Sequence, residues 1–211
     1  MSFIAECFHI FQQGGPVMYL LLACSLLAAT IGVERFLYYR KMKADIHDFT
    51  ERITPLLERA DWTAAGELCR QTQGIAAMVA AKGIGHIQRG CANIESVLEG
   101  EASLAVASLR ANLNHLDTVV TIAPLLGLLG TVIGMISSFS VMNIKAGQPQ
   151  AITGGVGEAL IATATGLCVA TVAMLLYSYF NHRLDDLITN IEKTCLLLLG
   201  YAKQEKCHEI A

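Results

Sequence analysis

Charge is what this sequence has least of, and the shortage is concentrated in three places. Asp, Glu, Lys and Arg make up 16% of the 211 residues, and residues 14–33, 118–144 and 159–181 contain none of them. Soluble globular domains carry about 25% charged residues, so an ordinary soluble domain is excluded. No block of basic residues interleaves with aromatics, which leaves no surface for nucleic acid. The seven cysteines include no C-x-x-C pair, and the six histidines form no H-x-x-x-H or His-Cys cluster. Neither a disulfide framework nor a metal site has support, and the cysteines read as small buried hydrophobes. There is also no nucleophile beside a base and no phosphate loop. The expectation is a protein that is not an enzyme and holds no cofactor.

What is present is length without charge. A helix rises ~1.5 Å per residue and needs about 20 residues to cross a ~30 Å hydrocarbon layer, so each uncharged stretch can span. Ten of the fifteen Lys and Arg residues lie between the first and second stretches and four follow the third; only Lys145 lies between the second and third. Arg35, Arg40, Lys41, Lys43 and Arg183 sit near span ends, where the positive-inside rule has most force. The rule puts the N-terminus outside and the C-terminus in the cytoplasm. The expected fold class is an all-α membrane protein with three transmembrane helices, the second and third extending into the cytoplasm, and a small helical cytoplasmic portion. The segments are 1–13, an outer interfacial amphipathic stretch; 14–39, the first span; 40–117, a cytoplasmic helical region; 118–144, the second span; 145–157, a short periplasmic loop; 158–181, the third span; and 182–211, a cytoplasmic helical tail.

Local signals fill in this outline. Gly14-Gly15-Pro16 forms a turn with Pro in the first turn of the first span, and Tyr38 and Tyr39 beside Arg35 and Arg40 mark the inner interface. Residues 44–90 read as short helices separated at Thr54-Pro55, Gln73-Gly74 and Gly90, with Asp61-Trp62-Thr63-Ala64-Ala65 as a capped helix start. Ala102, Val106, Leu109, Leu113, Leu116 and Val120 alternate steps of four and three, the seam of a helix packed along a neighbour. No Gly or Pro interrupts it, so one long helix is expected to run into the second span. Leu184, Leu187, Ile191, Cys195, Leu198 and Ala202 continue a like stripe from the third. So few residues at 44–90 cannot bury a separate core and must pack on that long pair.

Small residues dominate the spans. Ala123, Gly127, Gly130 and Gly134 in the second, and Ala159, Thr163, Gly166, Ala170 and Ala173 in the third, recur at helical spacing. In lipid such faces permit close backbone approach. They serve packing within one chain, and two complete faces also fit an interface between subunits. Glu158 opens the third span, where a helix N-terminus favours a carboxylate by roughly 0.3 to 1 kcal/mol. One turn deeper it needs water or a partner, because a carboxylate at the helix centre costs ~2.5 to 3.5 kcal/mol. Thr131 and Thr163 are the polar residues deepest in their spans. A solvated N-terminal Glu and threonines bonded to their own helix are the ordinary readings of these three.

Three strings resemble the MotA/TolQ/ExbB proton-channel family, most of all its ExbB branch. They are Gly14-Gly15-Pro16-Val17-Met18; Ala123-Pro124-Leu125-Leu126-Gly127-Leu128-Leu129-Gly130-Thr131-Val132-Ile133-Gly134-Met135; and Gly157-Glu158-Ala159-Leu160-Ile161-Ala162-Thr163-Ala164-Thr165-Gly166-Leu167. The resemblance covers the whole chain in order and spacing. It implies an inner-membrane homopentamer with helices two and three around a pore, holding two single-span partners of the ExbD/TolR type. Each partner would carry an intramembrane Asp, and proton flow would drive relative motion that does work at the cell envelope. It also implies that Thr131 and Thr163 are pore threonines facing that Asp and that Glu158 lies near the outer mouth. Two features depart from the family. Val169-Ala170-Thr171-Val172-Ala173 stands where relatives often have Ala-Ile-Pro, so a proline kink is not expected. Glu158 and Thr163, five residues apart, lie about 140° around an ideal helix and do not share one face. A flagellar-stator-like protein, usually with four spans, and a non-conducting scaffold are the rival expectations.

Overall fold

The computed structural model describes residues 14–42, 46–90, 93–144 and 149–210, with side chains for 14–42, 46–90, 93–140 and 154–204. The expected interfacial segment 1–13 and Lys145 lie outside the described residues. Among those described, all regular structure is helical: α1 Val17–Met42, α2 Ile46–Glu58, α3 Trp62–Gln71, α4 Ile75–Gln88, α5 Ile94–Arg110, α6 Leu113–Ile144 and α7 Pro149–Ile210. Three of them, α1, α6 and α7, are long and apolar enough to cross a membrane. The chain divides into two compact units, one of residues 1–33 with 112–179 and the other of residues 34–111 with 180–211.

The first unit holds the ends and middles of the three apolar helices. Its core gathers Val17, Met18 and Leu21 of α1, Ala123 of α6 and Ala170 of α7, with Leu126, Ile161 and Val169 against them. Alanine at two of these positions keeps the helices close, since a methyl is all that separates one backbone from the next. Outside this contact the helices remain apolar: Leu125, Leu128 and Ile136 on α6 and Leu160, Leu167 and Leu175 on α7 are each more than half exposed. Such surface is a liability in water and the ordinary state of a helix in lipid.

The second unit is a small helical core. Phe49, Ile53 and Leu57 form the buried stripe of α2 at steps of four, and Trp62, Ala65 and Cys69 that of α3. They meet Ile84 of α4, Leu98 of α5 and Leu198 of α7 in the same cluster, so the short helices bury their faces on the long ones, as their size requires. Gly83 permits the approach of α4. A Cβ there would overlap Leu98 Cδ2 and lie 3.8 Å from Leu198 Cδ1. Asp61 caps α3, its side chain accepting from the Ala64 N–H at 3.0 Å.

Four expectations change. Pro55 sits inside α2 instead of ending it. The ring is exposed, as is Glu51, whose carbonyl loses its N–H partner, and water can satisfy that carbonyl. The seam helix is not continuous: α5 ends at Arg110 and α6 begins at Leu113. The Leu109 carbonyl, which an unbroken helix would use for its next turn, accepts from Arg35 Nη1 at 3.0 Å and Tyr39 Oη at 2.9 Å. Tyr39 therefore does not mark a lipid interface; it is buried in the second unit, its ring edge-on to Phe180 with centroids 5.9 Å apart. Finally, α7 starts at Pro149, inside the stretch 145–157 expected as a loop, and runs 62 residues without a break, through Gly200.

Candidate functional site

The glycines of the second and third spans lie where α6 and α7 touch. A Cβ on Gly127 would stand 3.1 Å from Thr163 Cα and 3.2 Å from the Ala162 carbonyl oxygen, and one on Gly130 2.5 Å from Ala162 Cβ. On Gly134 it would stand 2.9 Å from the Gly155 oxygen and 3.0 Å from Ala159 Cβ. From the other side, a Cβ on Gly166 would stand 2.7 Å from the Ala123 oxygen and 3.0 Å from Gly127 Cα. Because the neighbours are mostly backbone, no rotamer change could make room. Gly127, Gly130, Gly134 and Gly166 thus all pack within one chain. Ala170 lies in the core that α1 shares with this pair.

The same close approach accounts for a glycine at position 155 inside α7; Gly154 and Gly157 have nothing within 4 Å of an added Cβ. Gly155 faces α6, where a Cβ would overlap Ser138 Oγ and lie 3.1 Å from the Gly134 oxygen. Ser138 is buried and donates to that same Gly134 carbonyl at 2.9 Å. Glycine is a helix breaker mainly through its entropy and exposed backbone. Packing against a partner helix offsets both.

Thr163 crosses the contact. Its Oγ1 donates to the Gly127 carbonyl oxygen of α6 at 3.1 Å, a carbonyl that remains reachable because Gly127 has no side chain. Thr131 behaves differently and donates to its own helix at Leu128 O, 2.6 Å away. Both hydroxyls spend their proton on a carbonyl and keep lone pairs able to accept. Both are half-buried and border exposed leucines, Leu128 on α6 and Leu160 and Leu167 on α7.

Glu158 is turned toward α1 and not toward Thr163. Its carboxylate lies against Gly15, in the turn that opens α1. The angular separation of about 140° between the two positions has this consequence: one side chain faces α6 and the other α1. The structure therefore joins Thr163 to α6 and Glu158 to α1, and leaves Thr131 on its own helix.

One constellation is not signalled by local sequence pattern. Arg35 is 4% exposed; it stacks over Tyr38 with its guanidinium carbon 5.0 Å from the ring centroid, pairs with Glu34 at 3.3 Å and donates to Leu109 O. Its sequence context, a cation at the end of a span, points to an interface anchor. Only the spacing of Arg35 and Tyr39 by four, which puts both on one helix face, hints at a joint role.

The sequence model of the MotA/TolQ/ExbB proton channel family matches residues 71–193. Similar curated proteins include an ExbB-homolog biopolymer transport protein of Methanothermobacter thermautotrophicus, 28% identical over 91% of this chain and 69% of its own length. An ExbB-like biopolymer transport protein of Synechocystis is 32% identical over 79% of this chain and 67% of its own. The Tol-Pal system protein TolQ of Pseudomonas aeruginosa is 37% identical over 44% of each chain.

Proposed function

This chain belongs to the MotA/TolQ/ExbB proton channel family as a multi-pass membrane subunit of an energy-transducing channel, and on that premise we propose how it works. Five copies surround two single-span partners of the ExbD/TolR type in the inner membrane, with the N-terminus periplasmic and the C-terminus cytoplasmic. Each partner carries an intramembrane carboxyl group that takes up a proton on the outer side and releases it inward. Thr131 and Thr163 form a hydroxyl band at the depth of that carboxyl, and Glu158 stands nearer the outer mouth.

The observation that carries this reading is the state of the two hydroxyls. With the proton of Thr163 held by Gly127 O, its oxygen is left as an acceptor for a protonated partner carboxyl. Thr131, bonded only to a carbonyl three residues back, can turn its proton outward when the carboxyl is ionised. A hydroxyl serves both states of the acid, and the exposed leucines around it serve neither. One charge crossing 100 mV releases about 2.3 kcal/mol, so several protons suffice for a sizeable mechanical step.

The test is reconstitution with an ExbD/TolR-type partner in liposomes, imposing a membrane potential and following internal pH. Flux that requires the partner and falls with Thr131→Val supports the reading; no partner-dependent flux from the unsubstituted protein sinks it. Native mass spectrometry of the mildly solubilised protein checks the assembly, and finding only monomers or dimers removes the pentamer.

A further inference from the structure

We infer that Gly15 is a positioning residue for Glu158, and that the turn opening α1 is the seat that fixes where this carboxylate stands. Gly15 has φ +71°, a left-handed conformation that a side chain resists. A Cβ there would overlap Glu158 Oε1 and lie 2.9 Å from Cδ and 3.4 Å from Cγ. The absence of a side chain at position 15 is therefore what leaves room for the acid. The seat is continuous with a second contact one turn along α7. A Cβ on Gly14 would lie 2.7 Å from Met18 Sδ and 3.3 Å from Ile161 Cγ2, and Met18 and Ile161 belong to the apolar cluster joining these helices. Ile161 is thus held by packing, and Glu158 follows from it at helical spacing.

Electrostatics favours the same placement. The first turn of α1 contains no acidic residue, although a 26-residue helix presents a full N-terminal dipole. Glu158 brings that missing negative charge from another helix. Deletion of the charge and displacement of the charge are then separate perturbations, and Gly15 gives access to the second.

This inference rests on the reading that Glu158 belongs to the proton path. The test compares Gly15→Ala with Gly90→Ala in partner-containing liposomes. Gly90 has φ +72° and nothing within 4 Å of its added Cβ, so it reports the backbone cost alone. In Gly15→Ala the new methyl displaces the far end of a flexible side chain and leaves its charge in place. Partner-dependent flux should fall roughly fivefold or more in Gly15→Ala and stay within about twofold of the parent in Gly90→Ala. Glu158→Asp withdraws the carboxylate by one methylene, so Gly15→Ala with Glu158→Asp should match Glu158→Asp alone.

Equal flux in Gly15→Ala and Gly90→Ala, or losses that multiply in the double variant, would overturn the inference while leaving the channel reading intact. Absence of partner-dependent flux in the unsubstituted protein would end that reading and this inference together. Should Gly15→Ala fail to assemble, recovery of assembly on adding Glu158→Asp supports the seat, and continued failure overturns it.

Discussion

The hydroxyl of Tyr39 donates to the carbonyl of Leu109 at 2.9 Å in the buried interior of the second unit. Arg35, one turn earlier on the same helix, reaches the same oxygen at 3.0 Å. Two side-chain donors on one backbone acceptor make Leu109 the point at which the end of α1 grips the end of α5, and the helix stops at the next residue, Arg110. A buried guanidinium needs this many partners, and Glu34, Tyr38, Tyr39 and Leu109 supply them.

Removing the phenol should cost little and removing the guanidinium more. Tyr39→Phe loses one hydrogen bond and leaves Arg35 to hold the carbonyl, a loss of about 1 kcal/mol. Arg35→Met loses a charge-assisted bond and the stacking on Tyr38, about 2 kcal/mol. Denaturant titration of helicity in detergent checks the order, and a Tyr39→Phe variant less stable than Arg35→Met would contradict it.

Glycines that look alike in the sequence should behave oppositely. Gly166→Ala puts a methyl 2.7 Å from the Ala123 oxygen and should destabilise the α6 and α7 contact by about 1 to 3 kcal/mol. Gly157→Ala, with nothing within 4 Å of its added Cβ, should be neutral or slightly stabilising. Thermal aggregation of the two solubilised variants gives the comparison directly. Gly134→Leu should be worse than either, and should loosen each chain and not only its assembly.

These contrasts show what the sequence carries. Absence of charge over residues 118–144 and 159–181 locates two spans, because solvation of charge is a local property of each segment. The Asp61 cap is legible for the same reason: donor and acceptor are three residues apart. The break at Ala111 is not, because the donors that take up the Leu109 carbonyl beside it come from side chains some seventy positions earlier. Glycines at 154, 155 and 157 predict a loop, and only the facing helix turns one of them into a packing surface. Of the site, the residue types at 131, 158 and 163 are plain in the resemblance. Their neighbours are not: the five-residue spacing turns Glu158 and Thr163 apart, and only the structure shows that one meets the turn opening α1 and the other the Gly127 carbonyl of α6.

Stability of the second unit should depend on pH on the alkaline side through Cys69. Burial pushes this thiol up from 9.0 to about 12, because the thiolate would be desolvated among Ile53, Ile84 and their neighbours. The folded form keeps its proton while the unfolded form loses it, so this contribution is intact below pH 9.0 and is lost progressively toward about 12. Comparing the parent with Cys69→Ala at rising alkaline pH isolates the effect: the parent should lose stability faster. Parallel curves would contradict the assignment. Alkylation of Cys69 should likewise await unfolding.

The hydroxyl band is tested most directly by partner-dependent proton flux in Thr131→Val. Thr131 bonds only within its own helix, so Val should preserve fold and assembly while removing the hydroxyl. Thr163→Val also gives up a bond between helices, worth about 0.6 kcal/mol in lipid, and needs Thr163→Ser beside it as the variant that keeps the hydroxyl. At matched assembly, flux should fall at least about tenfold in Thr131→Val and Thr163→Val and less in Thr163→Ser and Glu158→Gln. Full flux in both Val variants with its abolition in Glu158→Gln alone would contradict the account and make Glu158 itself the proton carrier.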